Sequence, residues 1–307
     1  MDTKSKVDTD EYPTSVSSET QTPEPISSQV QVDLAGFSHP GYVRENNEDH
    51  YLVVRFDRSL QTLMTNLPEG HIPQRFEEVG YGMVVADGIG GASAGEIASQ
   101  TAISTLVNLV LNTPDWIMRG GAHEAEKAME RMAERYRRID AVLTEQGSAD
   151  PRLWGMGTTL TLAYSLGPNL FLAHIGDSRA YLLHGGELHQ LTRDHTIVQA
   201  LVETGCLRRD EMATHRLRHV LTRSLGTSEG EVEAECQTVS LADQDQVLLC
   251  TDGLTDMVDQ ATIRSVLLSG ASANEACHAL IELALKQGGK DNVTVVLARY
   301  RFPSEGV

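Results

Sequence analysis

The sequence predicts an α+β protein in which helices pack outside a β-sandwich. Two long amphipathic patterns carry the helices, and several short apolar runs joined by hairpin signals carry antiparallel sheets. The helical patterns are bunched between groups of strands rather than alternating with them, which implies separate helical layers.

Taken in order, residues 1–31 contain "TDEYPTSVSSETQTPEPISS", rich in Ser, Thr, Pro and acids. Such a stretch buries too little apolar surface to offset chain entropy, so a disordered tail is expected, its hydroxyls being candidate phosphorylation sites. From Val32 the chain reads as one α/β unit. In "GEIASQTAISTLVNLVLN", Ile97, Ala98, Thr101, Ala102, Leu106, Leu109 and Val110 keep to one helical face. In "HEAEKAMERMAERYRRIDAVL", Ala125, Met129, Met132, Tyr136, Ile139 and Leu143 recur at helical spacing. "TTLTLAYS" places Leu160, Leu162 and Tyr164 on one face of a strand, and "NLFLAHI" follows across Gly167-Pro168-Asn169. "RAYLLH" and "ELHQL" flank Gly185-Gly186, a two-residue hairpin signal. Asp194 reads as a helix N-cap, with Thr196 or Ile197 opening the helix. "QVLLCT" and "NVTVVLARY" are further strands.

Composition narrows the function. With 25 Lys and Arg against 43 Asp and Glu the net charge is −18, a field that repels nucleic acid and anionic membranes and favours cations. The four cysteines form no C-x-x-C pair, and no apolar run approaches the roughly 18 residues of a membrane helix. A cytoplasmic protein that binds neither nucleic acid nor membrane is expected.

The informative pattern is where the acids fall. Asp87 ends "YGMVVA", Asp252 ends "VLLCT", Asp177 follows "LFLAHIG", Asp291 precedes "NVTVVLA", and Glu48 and Asp49 adjoin "YLVV". Any one of them reads as a turn aspartate. Together, like charges gathered at sheet ends repel unless a cation offsets them, and oxygen-only donors suit Mg²⁺ or Mn²⁺. Arg44, in "VRENNEDHY", is either a phosphate clamp or a surface partner of Glu45 or Glu48.

"RENNEDHY", "VVADGIGG", "GMGTTLTLA", "IGDSRAYLL", "LLCTDGLTD" and "GGKDNVTVVL" occur in that order. In this the chain resembles the metal-dependent (PPM, type 2C) protein serine/threonine phosphatases, bacterial members that oppose Ser/Thr kinases above all. The resemblance runs from about Gly36 to Tyr300. It implies a four-layer α-β-β-α sandwich of two antiparallel sheets flanked by helices, with residues 32–303 as the catalytic domain. It also implies two Mn²⁺ or Mg²⁺ ions bridged by Asp87. Asp252 and Asp291 complete one site, and the Gly88 carbonyl and waters fill much of the other. Glu48 and Asp49 act largely through those waters. Arg44 and Asp49 are the residues assigned to catalysis, Arg44 gripping the phosphate. Asp177 matches a position linked to a third metal, a turn aspartate paired with Arg179 being the alternative.

The implied reaction is attack on phosphoserine or phosphothreonine in proteins by a hydroxide bridging the two ions. Phosphoproteins, a Ser/Thr kinase among them, are the implied partners of a monomeric enzyme. A catalytically silent phosphoprotein-binding relative is the alternative, opposed by the presence of Asp87, Asp252 and Asp291. A nucleotide-binding reading of the glycines fails, since no Lys-Ser or Lys-Thr follows them and Ser93 stands where a third glycine belongs. Relatives often have histidine at Ile89 or Ala92; this chain has neither, so the general acid is unassigned. His39, His50 and His195 read as structural. Residues Thr204–Thr227 align with the family's mobile flap and carry Arg208, Arg209, Arg216 and Arg218, either a strip suited to guiding phosphopeptides or a solvated loop-helix face. The excursion over 56–80 reads as a bland insertion, an extended hairpin at the site's rim or a partner surface.

Overall fold

The computed structural model describes residues 26–90, 94–112, 122–227 and 232–303. In chain order these form β1 (Gln31–His39), β2 (Asp49–Gln61), β3 (Arg75–Ile89), α1 (Ala94–Asn112), α2 (Ala122–Ala149), β4 (Gly157–Thr158), β5 (Leu160–Leu166), β6 (Asn169–Ile175), β7 (Arg179–His184) and β8 (Glu187–Gln190). There follow α3 (Ile197–Glu203), β9 (Glu235–Ser240), β10 (Gln246–Cys250), α4 (Asp252–Thr255), α5 (Gln260–Leu268), α6 (Ala273–Lys286) and β11 (Val293–Arg301). One sheet has the order β1-β11-β10-β7-β8, the other β2-β3-β5-β6-β9, with β4 beside the end of β3. All pairings are antiparallel.

Alternation along the central strands builds three apolar layers. Met83 and Val85 of β3 and Val247 and Leu249 of β10 point between the sheets, with Leu172 and Tyr300. The intervening Val84 and Ala86 face the other way, under α1 and α2, against Leu106, Met132, Tyr136 and Leu143. Leu248 and Cys250 face α5 and α6, against Ile263, Leu267, Cys277 and Leu280. The four layers are therefore helices, sheet, sheet, helices. The helical faces read from the sequence are the buried ones at Ala98, Ala102, Leu106, Met132, Tyr136, Ile139 and Leu143. Ala125 lies outside the described side chains.

The Gly185-Gly186 hairpin forms with both residues at positive φ, 56° and 83°, as its two-residue turn demands. Elsewhere the structure corrects the sequence reading. Thr196 caps α3, accepting from Gln199 N at 3.3 Å, while Asp194 pairs instead with Arg179. The folded part begins before Val32: Ser27 and Val30 are already buried. The expected tail otherwise lies outside the described residues. The 56–80 excursion is an extended hairpin, Gln61 opposite Arg75, but it is not at the rim of the acids. Its register starts at Asp49 opposite Asp87, so twelve residues of strand, about 40 Å, separate the two ends. Among the described residues no helix is long and apolar enough to cross a membrane.

Leu248 is fully buried, and Leu248→Ala is expected to cost about 2–5 kcal/mol in urea denaturation. Tyr136 is buried too and donates to the Ala173 carbonyl at 2.8 Å. Tyr136→Phe removes that donor alone and should cost about 1 kcal/mol. A loss at Tyr136→Phe as large as that at Leu248→Ala would contradict this layering.

Candidate metal centre

The acids converge because strands from both sheets end at one edge of the sandwich. Asp49 opens β2 and lies directly opposite Asp87 of β3. Directly opposed residues of an antiparallel pair have Cβ atoms only about 4.5–5.5 Å apart. Burial pushes the Asp87 carboxyl well above the carboxylate range, and the charges of Asp49, Asp252, Asp177 and Asp291 add to it. Asp49 is buried and pushed up to about 7 by that burial, although hydrogen bonds from Thr251 and Thr294 pull it down. Both threonine hydroxyls donate to Asp49 Oδ2 at 2.7 Å. Asp49 Oδ1 is buried with no hydrogen-bond partner. Burial raises Asp177 and Glu48 as well.

Backbone clamps fix these groups. Asp87 N donates to Thr159 Oγ1 at 2.9 Å, and the Asp87 carbonyl accepts from Thr158 Oγ1 at 2.8 Å and Thr159 N at 2.9 Å. Thr159 Oγ1 also meets Ser178 Oγ at 2.9 Å, which ties the Gly176–Arg179 turn to Asp87. Gly88 N donates to the Glu48 carbonyl at 3.2 Å. A Cβ on Gly88 would fall 2.1 Å from the Gly95 carbonyl oxygen, so only glycine lets the start of α1 pack against the end of β3. A Cβ on Gly253 would fall 1.9 Å from the Asn292 carbonyl oxygen, which accounts for the glycine after Asp252 in the same way.

Arg44 is half-exposed and donates from Nη2 to Asp291 Oδ2 at 2.6 Å. Its ion-pair partner is thus Asp291 rather than the Glu45 or Glu48 expected of a surface bridge. Arg179 forks onto Asp194, with Nη2 at 2.6 Å and Nε at 2.9 Å, so the pairing of Asp177 with Arg179 does not form. The three histidines near motifs have structural partners. His195 is buried and accepts from Gly176 N at 3.1 Å; His39 accepts from Gly41 N, and His50 meets Ser99 Oγ.

Comparison with known proteins names the architecture. The profile described as Protein phosphatase 2C matches residues 70–293. The chain belongs to the protein phosphatase 2C family. Over 216 residues it is 42% identical to the serine/threonine protein phosphatase PstP of Mycobacterium tuberculosis, covering 70% of this chain and 40% of that protein. It therefore spans less than half the length of that curated relative. It is 34% identical to the serine/threonine phosphatase stp of Listeria welshimeri, covering 73% of this chain and 86% of that one. The catalytic domain of PstP, solved in complex with two manganese ions, superposes with a TM-score of 0.69 at 34% identity, covering 89% of this chain and 99% of that chain.

Within this PP2C chain the sequence reading missed three groups. Asn292 accepts from Glu48 N at 2.8 Å and donates to the Pro40 and Asn46 carbonyls at 2.9 Å, stitching the acidic loop to the start of β11. Thr158 and Thr159 lie in the quoted "GMGTT", whose chemical role had no local signal. His219, within the Thr204–Thr227 segment, sets Nδ1 3.5 Å from Asp252 Oδ2 and Nε2 3.3 Å from Asp256 Oδ2. Ile89 is the last residue of β3, paired with Gly157; Ala92 is outside the described residues.

A buried carboxyl with a raised folded-state pKa stabilises the fold most when protonated, and that contribution is lost as pH rises through the raised value. In metal-stripped protein, Asp49→Asn should therefore gain stability over wild type as pH rises from about 4 to about 7, read as a widening difference in Tm. A difference that stays flat would mean that Asp49 does not carry the raised titration.

Proposed function

We propose that this chain hydrolyses phosphoserine and phosphothreonine in proteins with two divalent cations, Mn²⁺ or Mg²⁺. The observation that carries this reading is the meeting of Asp49, Asp87, Asp252 and Asp291 at one sheet edge beside Arg44. The donors fit a hard cation: they are all oxygens, they repel one another, and Asp49 Oδ1 is a buried acceptor without a donor. Asp87, Asp252 and Asp291 would hold one ion. Asp87 and the Gly88 carbonyl would hold the other, with Glu48 and Asp49 reached through water. Asp177 lies close enough to Asp252 to feel its charge, which supports it as a ligand of a third ion.

When bound, the ions supply positive charge against the phosphoryl oxygens and acidify a water for in-line attack. The chain's own part is to hold and orient. Arg44 offers a planar fork of donors to the phosphate, its tie to Asp291 aiming it across the acids. Thr158 and Thr159 keep the Asp87 backbone still, and Thr251 and Thr294 keep Asp49 in one rotamer. No cysteine heads a C-x5-R run, and burial pushes Cys250 and Cys277 up to about 12 and Cys236 to about 11, which makes these three poor nucleophiles. Leaving-group protonation has no histidine at position 89 to serve it.

The wider role we assign is reversal of Ser/Thr kinase signalling by a monomeric cytoplasmic enzyme. Its supports are the kinase-opposing bacterial pattern of the motifs, the acidic net charge and four free cysteines.

Purified protein should hydrolyse p-nitrophenyl phosphate and a phosphothreonine peptide with Mn²⁺ or Mg²⁺, and EDTA should abolish both. Asp87→Asn and Asp252→Asn should each lower kcat by about 100-fold or more. Full metal-dependent activity in either variant would overturn the assignment. Arg44→Ala should raise KM about tenfold while lowering kcat less, since it removes phosphate binding shared by ground and transition states.

A further inference from the structure

We infer that the neighbours Asp194 and His195 form a cradle that positions Asp177 for its ion, and that Glu235 fixes the His195 ring in that cradle. The inference rests on the reading of Asp177 as a ligand of a third ion; the cradle itself rests on geometry.

Asp177 sits in a buried turn, and an aspartate has only two side-chain torsions, so its carboxylate goes where the backbone is put. Both flanks of that turn are held by one dipeptide. On one side Arg179 forks onto Asp194, with Nη2 at 2.6 Å and Nε at 2.9 Å. On the other, His195 grips Gly176 twice. The Gly176 carbonyl accepts from His195 N at 2.7 Å, and Gly176 N donates to His195 Nδ1 at 3.1 Å. Gly176 stands at φ 111°, and a Cβ there would fall 2.4 Å from Thr159 Cγ2, so only glycine fits between this grip and Thr159.

The His195 ring has one arrangement that suits all its neighbours. A backbone N–H only donates, so His195 Nδ1 accepts and carries no proton. Burial first, then the His174 ring and the charges of Arg223 and Arg193, push His195 down to about 3, so the ring is neutral and its one proton is on Nε2. His195 Nε2 and Glu235 Oε2 are both buried without a hydrogen-bond partner, and they lie 3.5 Å apart. Each supplies what the other lacks, an N–H and an acceptor oxygen, and a small rotation of either side chain joins them. Strand register puts Glu235 there: it opens β9 directly opposite His174 of β6. His174 stacks on His195 with ring centroids 4.9 Å apart, and is itself held by Thr161 Oγ1 at 2.8 Å and the Arg193 carbonyl at 3.2 Å. Arg193 Nε stands 3.9 Å from the same Glu235 oxygen, too far for a hydrogen bond. The series Glu235, His195, Gly176 thus ends one residue before Asp177. His195 and Glu235 act through the backbone, as positioning residues.

A cradle and a plain packing site respond oppositely to two substitutions. His195→Phe keeps a ring to stack on His174 but offers Gly176 no acceptor. His195→Asn loses ring volume but keeps an acceptor near the Nδ1 position. Calorimetric titration of metal-stripped protein with Mn²⁺ reads the difference without turnover. The ion whose binding is lost in Asp177→Asn should bind about tenfold more weakly in His195→Phe, and within about threefold of wild type in His195→Asn. Glu235→Ala should shift it in the same direction as His195→Phe, by less. In the Asp177→Asn background His195→Phe should change Mn²⁺ binding no further, because both act on the same ligand. In the wild type at neutral pH, the imidazole nitrogen chemical shifts of His195 should place the proton on Nε2. Tighter binding in His195→Phe than in His195→Asn, a further loss in the double variant, or a proton on Nδ1 would overturn the cradle. So would an Asp177→Asn variant that binds Mn²⁺ as the wild type does. A wild type that binds the Asp177-dependent ion yet hydrolyses no phosphopeptide would sink the phosphatase reading and leave the cradle standing.

Discussion

Two aspartates face each other across neighbouring strands, and among the described residues neither forms an ion pair with a side-chain cation. Asp49 and Asp87 are set opposite by the β2–β3 register, and Asp252 and Asp291 add charge from the second sheet. Burial and like charge both disfavour the ionised forms, so the edge is stable only with protons or cations there. Much of the surrounding structure answers that constraint. Threonine hydroxyls just after β10 and within β11 satisfy one oxygen of Asp49 and leave the other bare. Arg44 pairs with Asp291 at 2.6 Å and stays half-exposed.

The same constraint explains the small residues in the motifs. A metal centre built on strand ends needs backbones brought together, and side chains would keep them apart. Gly88 admits the start of α1, and Gly253 admits Asn292. Asn292 in turn carries three hydrogen bonds, two to Asn46 and Glu48 of the acidic loop and one to Pro40, that tie this region to the start of β11. The site is thus rigid in its backbone and strained in its electrostatics, the arrangement expected where stability gives way to function.

Elements with a strong local period were legible. The α1 and α2 stripes, the β5 alternation, the β6 strand after its turn and the Gly185-Gly186 turn all appear in the sequence as they stand in the fold. Less legible were β1 and β9, whose residues are mostly half-buried and so lack a clean apolar run. The layer of α5 and α6 went unread, although the Ser272–Glu275 capping box before α6 marked its start. Asp194 misled because an acid ahead of a helix reads as a cap by local rules, while Arg179, fifteen residues earlier, competes for it.

The sequence by itself determined the set of acids, the glycines beside them and the family they resemble, because strand ends and Asp-Gly pairs are local patterns. Only the tertiary structure decided who meets whom. That Asp49 opposes Asp87 depends on register, that Arg44 turns to Asp291 depends on a contact 247 residues apart, and that His219 sits between Asp252 and Asp256 depends on where the flap lands. Such pairings are set by packing between layers, and no window along the chain contains both partners.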